Sequence, residues 1–216
     1  MKRFSLFLMF VLSVFPLLAQ KIDTDVKVQE VYQACIAMRD AASAKDTAAI
    51  NQSAKLLAAC QTKEFAALRS KQEQESLDGH LVFDEEFAKQ LAEGKDAYQQ
   101  SDSICDTRAE RGQTANGSIL TKTCFAKAGK SVKYTFPSKN KQILAVVAEA
   151  GGRVTMKVHV TNKKGLNKRY DDTTSVKLGL PNRKTTFMLP GDCVNTVELE
   201  VVNCSKKDIS FVVISN

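Results

Sequence analysis

Tryptophan is absent from this 216-residue chain, and histidine, proline and tyrosine are scarce, with two, four and four residues respectively. With so few large aromatic rings, a sugar-stacking platform is poorly supported. Common enzyme motifs are missing too, among them G-x-S-x-G, H-E-x-x-H, the P-loop and G-x-G-x-x-G. The sequence therefore favours a non-enzymatic protein without a cofactor, a metal site or catalytic residues.

The two histidines offer little material for catalysis. His80 follows an Asp-Gly turn at 78–79 and precedes three carboxylates at 84–86. A small hydrolytic or metal-dependent enzyme centred on His80 and these carboxylates is therefore the alternative hypothesis. A turn histidine that hydrogen-bonds nearby backbone is the simpler interpretation. His159 lies on the polar face of a predicted strand, where we expect it to be exposed.

The first 19 residues have the pattern of a signal peptide. A basic pair at 2–3 precedes an apolar run at 4–18, and Ala19 is a small residue at the cleavage point. The apolar run is shorter than the ~20 residues that a membrane span needs. No cysteine lies near the cleavage point, which disfavours a lipoprotein. We expect an exported protein, periplasmic or secreted, with no transmembrane segment in the mature chain.

Six cysteines in an exported chain favour disulfide bonds, and the lack of C-x-x-C spacing argues against zinc or thioredoxin-type chemistry. Cys35 and Cys60 lie on the apolar stripes of two predicted helices, and we predict that they pair. Cys193 and Cys204 flank one predicted strand, whose length keeps them too far apart to bond. Two pairings of the remaining four stay open: Cys124–Cys204 with Cys105–Cys193, and Cys105–Cys204 with Cys124–Cys193.

Charge and local pattern divide the mature chain into two regions. Residues 21–113 carry a net charge of −5, and residues 114–216 carry +10. Such asymmetry indicates two regions that attract each other or have different partners. We predict an α-helical domain over 20–113 and a β-sandwich domain over 114–216.

Apolar residues at helical spacing predict two antiparallel helices in the first region, because the connection at 44–46 is short. Asp46 is the expected N-cap of the second helix. The helix is expected to continue over 64–70, and Asp84 to cap a third. The first stripe comprises Val28, Val31, Cys35, Met38 and Ala42, and the second comprises Ile50, Ala54, Leu57 and Cys60.

Short β-rich runs separated by turn residues predict an antiparallel, jelly-roll-like sandwich in the second region, and hence an α+β protein. Gly151-Gly152 predicts a tight hairpin between its two flanking strands. The run 142–150 is apolar on both faces, so both faces should be covered. The predicted strands are 119–126, 131–137, 142–150, 153–162, 173–178, 184–189, 194–203 and 208–214.

The segment 124–216 resembles a bacterial pre-peptidase C-terminal (PPC) domain. The similar features are the opening strand Gly129–Phe136, the Lys163–Gly165 turn, Arg169-Tyr170-Asp171-Asp172 and the turn Leu189–Gly191. The chain departs from that family in its extra cysteines and in lacking an aspartate-rich centre. The resemblance implies a small sandwich that acts as a non-catalytic appendage of secreted enzymes.

Basic residues gather in or beside predicted loops of the sandwich, and loops cluster at the ends of such a fold. We therefore predict a site for sulfate, phosphate or an acidic polysaccharide, on an envelope or extracellular partner. A solvated basic surface is the alternative. Nucleic acid is disfavoured because the chain is exported and no aromatics interleave the lysines. Asp171-Asp172 provides too few ligands to specify calcium. The predicted ligand residues are Lys163, Lys164, Lys168, Arg169, Tyr170, Arg183 and Lys184, with Lys206 and Lys207 also near loops.

Overall fold

A computed structural model of the chain describes residues 25–60, 62–68, 79–83, 119–138, 141–171 and 179–216. The predicted signal peptide, Cys105, the third helix from Asp84 and the strand 173–178 lie outside these residues. Within the described segments, no helix combines the length and apolar character needed to cross a membrane.

Two helices open the described chain. Helix α1 covers residues 25–44, and α2 covers Thr47–Cys60. Between them Lys45 adopts a positive φ of 55°, and the Asp46 carboxylate accepts the N–H groups of Ala48 and Ala49 at 3.0 and 3.1 Å. The predicted N-cap at Asp46 is therefore confirmed.

The described residues form nine strands in two sheets. The strands are β1 (Lys63–Glu64), β2 (Leu120–Ala126), β3 (Ser131–Ser138), β4 (Lys141–Ala148), β5 (Val154–Asn162), β6 (Asn167–Asp171), β7 (Asn182–Met188), β8 (Asn195–Asn203) and β9 (Ile209–Ser215). Sheet A has the order β1-β2-β9-β4-β7, and sheet B has the order β3-β8-β5-β6. Neighbours pair antiparallel except β1 and β2, which are parallel. The α+β class, with helices before a sandwich-like pair of antiparallel sheets, is confirmed.

The predicted hairpin at Gly151-Gly152 is wrong, because the strands on either side belong to different sheets. Strand β4 pairs with β7 and β9 in sheet A, whereas β5 pairs with β6 and β8 in sheet B. The glycines serve instead in the crossing turn, where Gly151 has φ +74° and a Cβ on Gly152 would come within 2.9 Å of the Ala148 Cβ. Strand β4 is apolar on both faces, so it is stabilised more by a central place in a sheet that is covered on both sides than by a hairpin with β5, which has one polar face.

The sandwich core lies between the two sheets. Alternate residues of β5 and β8 point into it, including Val158 and Leu199, and they meet Leu144, Val146 and Phe211 from sheet A. All five side chains are fully buried. This alternation is what the sequence predicted for β5 and β8.

A second apolar cluster covers the outer face of sheet A. Ile143 and Val147 of β4 and Ile214 of β9 pack with side chains of α1 and α2, including Met38 and Leu57. The prediction that β4 is covered on both faces is confirmed. The helices are thus a third layer on sheet A.

The predicted continuation of α2 over 64–70 is wrong. Residues 63–64 form β1 on the edge of β2, and Phe65 and Leu68 enter the sandwich core. The Phe65 ring meets Phe136 edge-on at 5.0 Å. Hydrogen bonds from the Lys63 and Phe65 N–H groups to the carbonyls of Ile119 and Thr121 outweigh helix propensity here. The predicted domain boundary at 113–114 lies outside the described residues.

Candidate functional site

Four of the predicted ligand residues lie on the β5–β6 hairpin. Lys163 and Lys164 are in its turn, Lys168 and Arg169 are in β6, and all four are exposed. The prediction that Lys168 and Arg169 lie in or beside a loop is corrected, because β6 pairs with β5 in the register Val160–Lys168. Pairing with the otherwise open side of β5 satisfies the backbone groups of this segment. Strand β6 is the edge of sheet B, where charged side chains also discourage edge-to-edge association.

Asn162 shapes the turn of the hairpin. Its Oδ1 accepts the N–H groups of Lys164 and Leu166, each at 2.9 Å. Its Nδ2 donates to Asn195 Oδ1 at 3.0 Å and to Cys193 Sγ at 3.2 Å. These contacts connect the turn to Cys193 in the loop before β8 and to Asn195 at the start of β8, and so hold the backbone that carries the two lysines.

Lys164 is the one hairpin cation with an ion pair among the described residues. Its Nζ lies 2.5 Å from the Asp192 carboxylate, and both side chains are exposed. The hydrogen bond raises the pKa of Lys164 and lowers the pKa of Asp192. Lys163, Lys168 and Arg169 make no ion pair within the described segments, so the hairpin presents them to solvent.

The outer face of sheet B continues the site beyond the hairpin. Arg169 lies opposite His159 in the strand register, and His159 lies opposite Glu198 of β8. The His159 Nε2 donates to Asn167 Oδ1 at 2.8 Å. A guanidinium, an imidazole and a carboxylate thus follow one another across three strands.

The next row on this face is a ladder of alternating charge. Glu200 lies opposite both Lys133 and Lys157, at 3.9 and 3.5 Å, and Lys157 lies opposite Asp171. The two Glu200 ion pairs are long, and their lysines are exposed, so they contribute little to stability. They balance charge in this row, so the excess of positive charge is at Arg169 and the turn. Asp172, the other candidate calcium ligand, lies outside the described residues.

The remaining three predicted ligand residues are not part of this site. Tyr170 stacks on Phe187 at 4.8 Å against the sandwich core, and Arg183 is buried on the core side of β7. Lys184 bonds Gln29 of α1 and lies above the Tyr32 ring at 5.8 Å. The sequence placed these side chains in loops, whereas tertiary packing uses Tyr170 and Arg183 inside the sandwich and Lys184 against a helix.

Lys206 and Lys207 lie at the opposite end of the sandwich from the hairpin turn. The Lys207 Nζ donates to the Ala150 carbonyl at 3.0 Å and lies 3.6 Å from the Glu149 carboxylate. These lysines therefore do not contribute to the hairpin site.

A cluster around His80 is the second candidate site. The His80 Nδ1 lies 3.1 and 3.2 Å from the two carboxylate oxygens of Glu149, which also accept the Leu81 N–H at 3.2 Å and the Ser210 hydroxyl at 3.1 Å. The His80 ring meets Phe125 edge-on at 5.1 Å. Glu149 was missed by sequence reasoning because it is 69 positions from His80. Its only local signal is a carboxylate directly after an apolar strand.

The chemistry available to this cluster is limited. Ser210 is fully buried, and its single hydroxyl hydrogen already faces the Leu81 carbonyl at 2.6 Å as well as Glu149. It is therefore not positioned as a nucleophile. No group of three or more metal-binding side chains occurs in the described part of the chain. The hydrogen bonds of Glu149 and Ser210 instead hold segment 79–83 against sheet A.

Four of the cysteines are free thiols in this structure: Cys35, Cys60, Cys193 and Cys204. The predicted Cys35–Cys60 bridge is therefore not formed here, although both thiols lie in the helix–sheet cluster. Burial, with a smaller contribution from Cys60, raises the pKa of Cys35 to about 12. Burial and then Glu30 raise the pKa of Cys60.

The separation predicted for Cys193 and Cys204 is confirmed, because strand β8 runs the whole way between them. Cys124 is buried in the sandwich core. The pairings that involve Cys105 lie outside the described residues.

No family model and no curated protein matches this chain. Among solved structures, the mitogen of Yersinia pseudotuberculosis is 9% identical, with a TM-score of 0.35, covering 46% of this chain and 85% of that one. PliG of Salmonella Typhimurium, a periplasmic inhibitor of g-type lysozyme, is 16% identical with a TM-score of 0.30, over 51% and 93%. TmCBM61, solved with β-1,4-galactotriose, is 8% identical with a TM-score of 0.30, over 45% and 81%. These similarities are too distant to inform function.

Proposed function

We propose that this chain is an exported, non-enzymatic binding protein that holds a polyanionic envelope or extracellular ligand on the β5–β6 hairpin. The observation that carries the proposal is the exposure of Lys163, Lys168 and Arg169 together on one hairpin. Arginine forms paired hydrogen bonds with sulfate, phosphate or carboxylate groups, and lysine adds point charges.

The rigidity of the hairpin supports this proposal. Asn162 fixes the turn through two backbone hydrogen bonds, and it connects to Asn195, which is fully buried. The Asn195 side chain in turn donates to the carbonyls of Pro190 and Cys193 at 3.0 and 3.3 Å. A cation cluster on a preorganised turn binds with a smaller entropic penalty than the same charges on a mobile loop.

The test is retention on a sulfated-polymer column over a salt series. Lys168→Ala with Arg169→Ala removes two hairpin cations and should lower the elution salt concentration markedly. Lys133→Ala with Lys157→Ala is the matched control, since it also removes two positive charges from sheet B, both beside Glu200. Equal losses in the two double variants would mean that net charge alone causes retention, and the hairpin site would be withdrawn.

The strand order supports the jelly-roll assignment and is compatible with the PPC resemblance. With β2 to β9 numbered from 1 to 8, the sheets have the orders 1-8-3-6 and 2-7-4-5. This interleaving of strands from both ends of the chain is the pattern of two nested Greek keys. The PPC-like assignment remains a proposal, as does export by the N-terminal 19 residues.

A second candidate function follows from the His80–Glu149 contact. A carboxylate that receives one imidazole N–H is the arrangement found behind general bases and metal-binding histidines. Purified protein that contains a stoichiometric metal, with metal and hydrolytic activity both lost in His80→Ala, would favour this enzyme over the binding protein. Metal-free protein with unchanged ligand retention in His80→Ala would favour the binding protein.

A further inference from the structure

The outer face of sheet B contains more than positive charge next to the hairpin. Glu198 follows His159 and Arg169 in the same row, and the adjacent row contains Thr196 of β8 and Thr161 of β5 in register. All these side chains are exposed or half-buried. The surface therefore offers cations, hydroxyls and an anion within a few strand spacings.

We propose that the ligand is an acidic polysaccharide lying across this face. Its sulfate or carboxylate groups contact Arg169 and Lys163, and its hydroxyl groups contact Glu198 and the threonines. The inference rests on the proposed function and narrows the polyanion to one chemical class.

Glu198 is the residue that distinguishes this class. A linear polyphosphate presents only acceptor oxygens, so a carboxylate one strand away from His159 repels it. A sugar chain also presents hydroxyl donors, for which a carboxylate is a strong acceptor. An acidic residue in the same row as Arg169, on the far side of His159, therefore weakens binding of a simple polyanion and strengthens binding of an acidic polysaccharide.

The neutral row points the same way. Thr161, Thr196 and Asn167, opposite Thr161 in β6, each donate and accept hydrogen bonds. The corresponding face of sheet A is covered by α1 and α2, so sheet B is the sheet whose outer face is available in the described chain.

The test compares two soluble probes, sulfated dextran and inorganic polyphosphate, on the full-length chain and its Glu198→Gln variant. Loss of a charge-assisted hydrogen bond should weaken sulfated dextran binding about 10-fold. Loss of the repulsion should strengthen polyphosphate binding about 2- to 5-fold. The two probes therefore respond with opposite signs.

Glu200→Gln is the matched control, because Glu200 lies two residues further along β8 and pairs with Lys133 and Lys157. Loss of the Glu200 negative charge should strengthen the binding of both probes to the same extent. If Glu198→Gln also changes both probes in the same direction, or changes neither, the polysaccharide inference is overturned. The proposed function has its own test: it fails if Lys168→Ala with Arg169→Ala lowers retention on the sulfated-polymer column no more than Lys133→Ala with Lys157→Ala does. Unchanged thermal unfolding of both glutamine variants checks that the fold is intact.

Discussion

The two sheets of the sandwich contribute to one core but have opposite outer faces. Sheet A is apolar on its outer side and lies under α1 and α2, with Val147, Val212 and Ile214 fully buried. Sheet B is polar on its outer side, where Lys133, Glu200 and Lys157 form a charge ladder. The difference shows that α1 and α2 cover the outer face of sheet A, whereas the described residues leave the outer face of sheet B uncovered.

The largest effect should come from removing the cover of sheet A altogether. A fragment of residues 114–216 would expose Ile143, Val147 and Ile214 to water as one contiguous apolar patch. We expect it to aggregate or to bind a hydrophobic dye strongly, as measured by light scattering and dye fluorescence. A soluble, monomeric fragment that binds no dye would show that the helices are not needed as a cover.

A matched pair of valines compares the two outer faces directly. Val212→Asp places an unpaired carboxylate under the helices, and it should lower the free energy of unfolding by about 3–5 kcal/mol or prevent folding. Val202→Asp places the same group on the outer side of β8, where the valine is half-buried, and it should cost less than about 1 kcal/mol. Urea denaturation measures both. Similar losses would contradict the contrast between the faces.

Glutamates allow a smaller comparison of the same kind. Glu149→Ala leaves the Leu81 N–H and the His80 ring without their acceptor, and should lower the free energy of unfolding by about 1–3 kcal/mol. Glu200→Ala on sheet B should change it by less than about 1 kcal/mol, because both of its lysine partners are exposed and lie 3.5 Å or more away. Equal values in urea denaturation would show that the Glu149 contacts do not stabilise the fold.

Thiol reactivity is the comparison that should least disturb the fold. Burial raises the pKa of Cys35 from 9.0 to about 12, so it has almost no thiolate near pH 8, whereas Cys193 is half-buried beside the hairpin turn. In the reduced, folded protein an alkylating reagent should modify Cys193 much faster than Cys35, as read by peptide mass spectrometry. Faster modification of Cys35 would mean that the helix layer opens readily.

The Cys35 thiol also predicts a pH dependence for the cover of sheet A. Because its pKa is higher in the folded protein than its usual 9.0, the folded state retains this proton where the unfolded state has lost it. The stabilisation is complete below pH 9 and is lost as pH rises towards 12. A Cys35→Ala variant should lose less stability over that interval in urea denaturation at stepped pH, and an unchanged slope would contradict the burial of this thiol.

Patterns of adjacent residues were enough to predict much of this fold. Alternation in β5 and β8, the apolar run of β4 and the cap at Asp46 depend on local periodicity, which fixes the face each side chain occupies. The predictions failed where a distant partner decides the outcome. Residues 63–64 became a strand because β2 offered an open edge, and the β4–β5 turn crossed between sheets because β4 pairs with β9.

The candidate site shows the same limit. The sequence supplied the lysines and Arg169 of the hairpin, but it also included Tyr170 and Arg183, whose side chains pack inward. Tyr170 and Arg183 lie on edge strands, and the spacing of residues in the sequence does not show which face of such a strand packs against the other sheet. The contact between His80 and Glu149 was equally inaccessible, because strands β2, β3 and β4 lie between the two residues in the chain.

The central position of β9 in sheet A has a consequence for folding during translation. Strand β9, the last in chain order among the described strands, lies between β2 and β4, at the middle of sheet A. Because α1 and α2 precede β9 in the chain, a ribosome releases them before the sheet surface that they cover is complete. Deletion of residues 209–215 would remove the middle of sheet A, and with it part of the apolar surface that α1 and α2 cover.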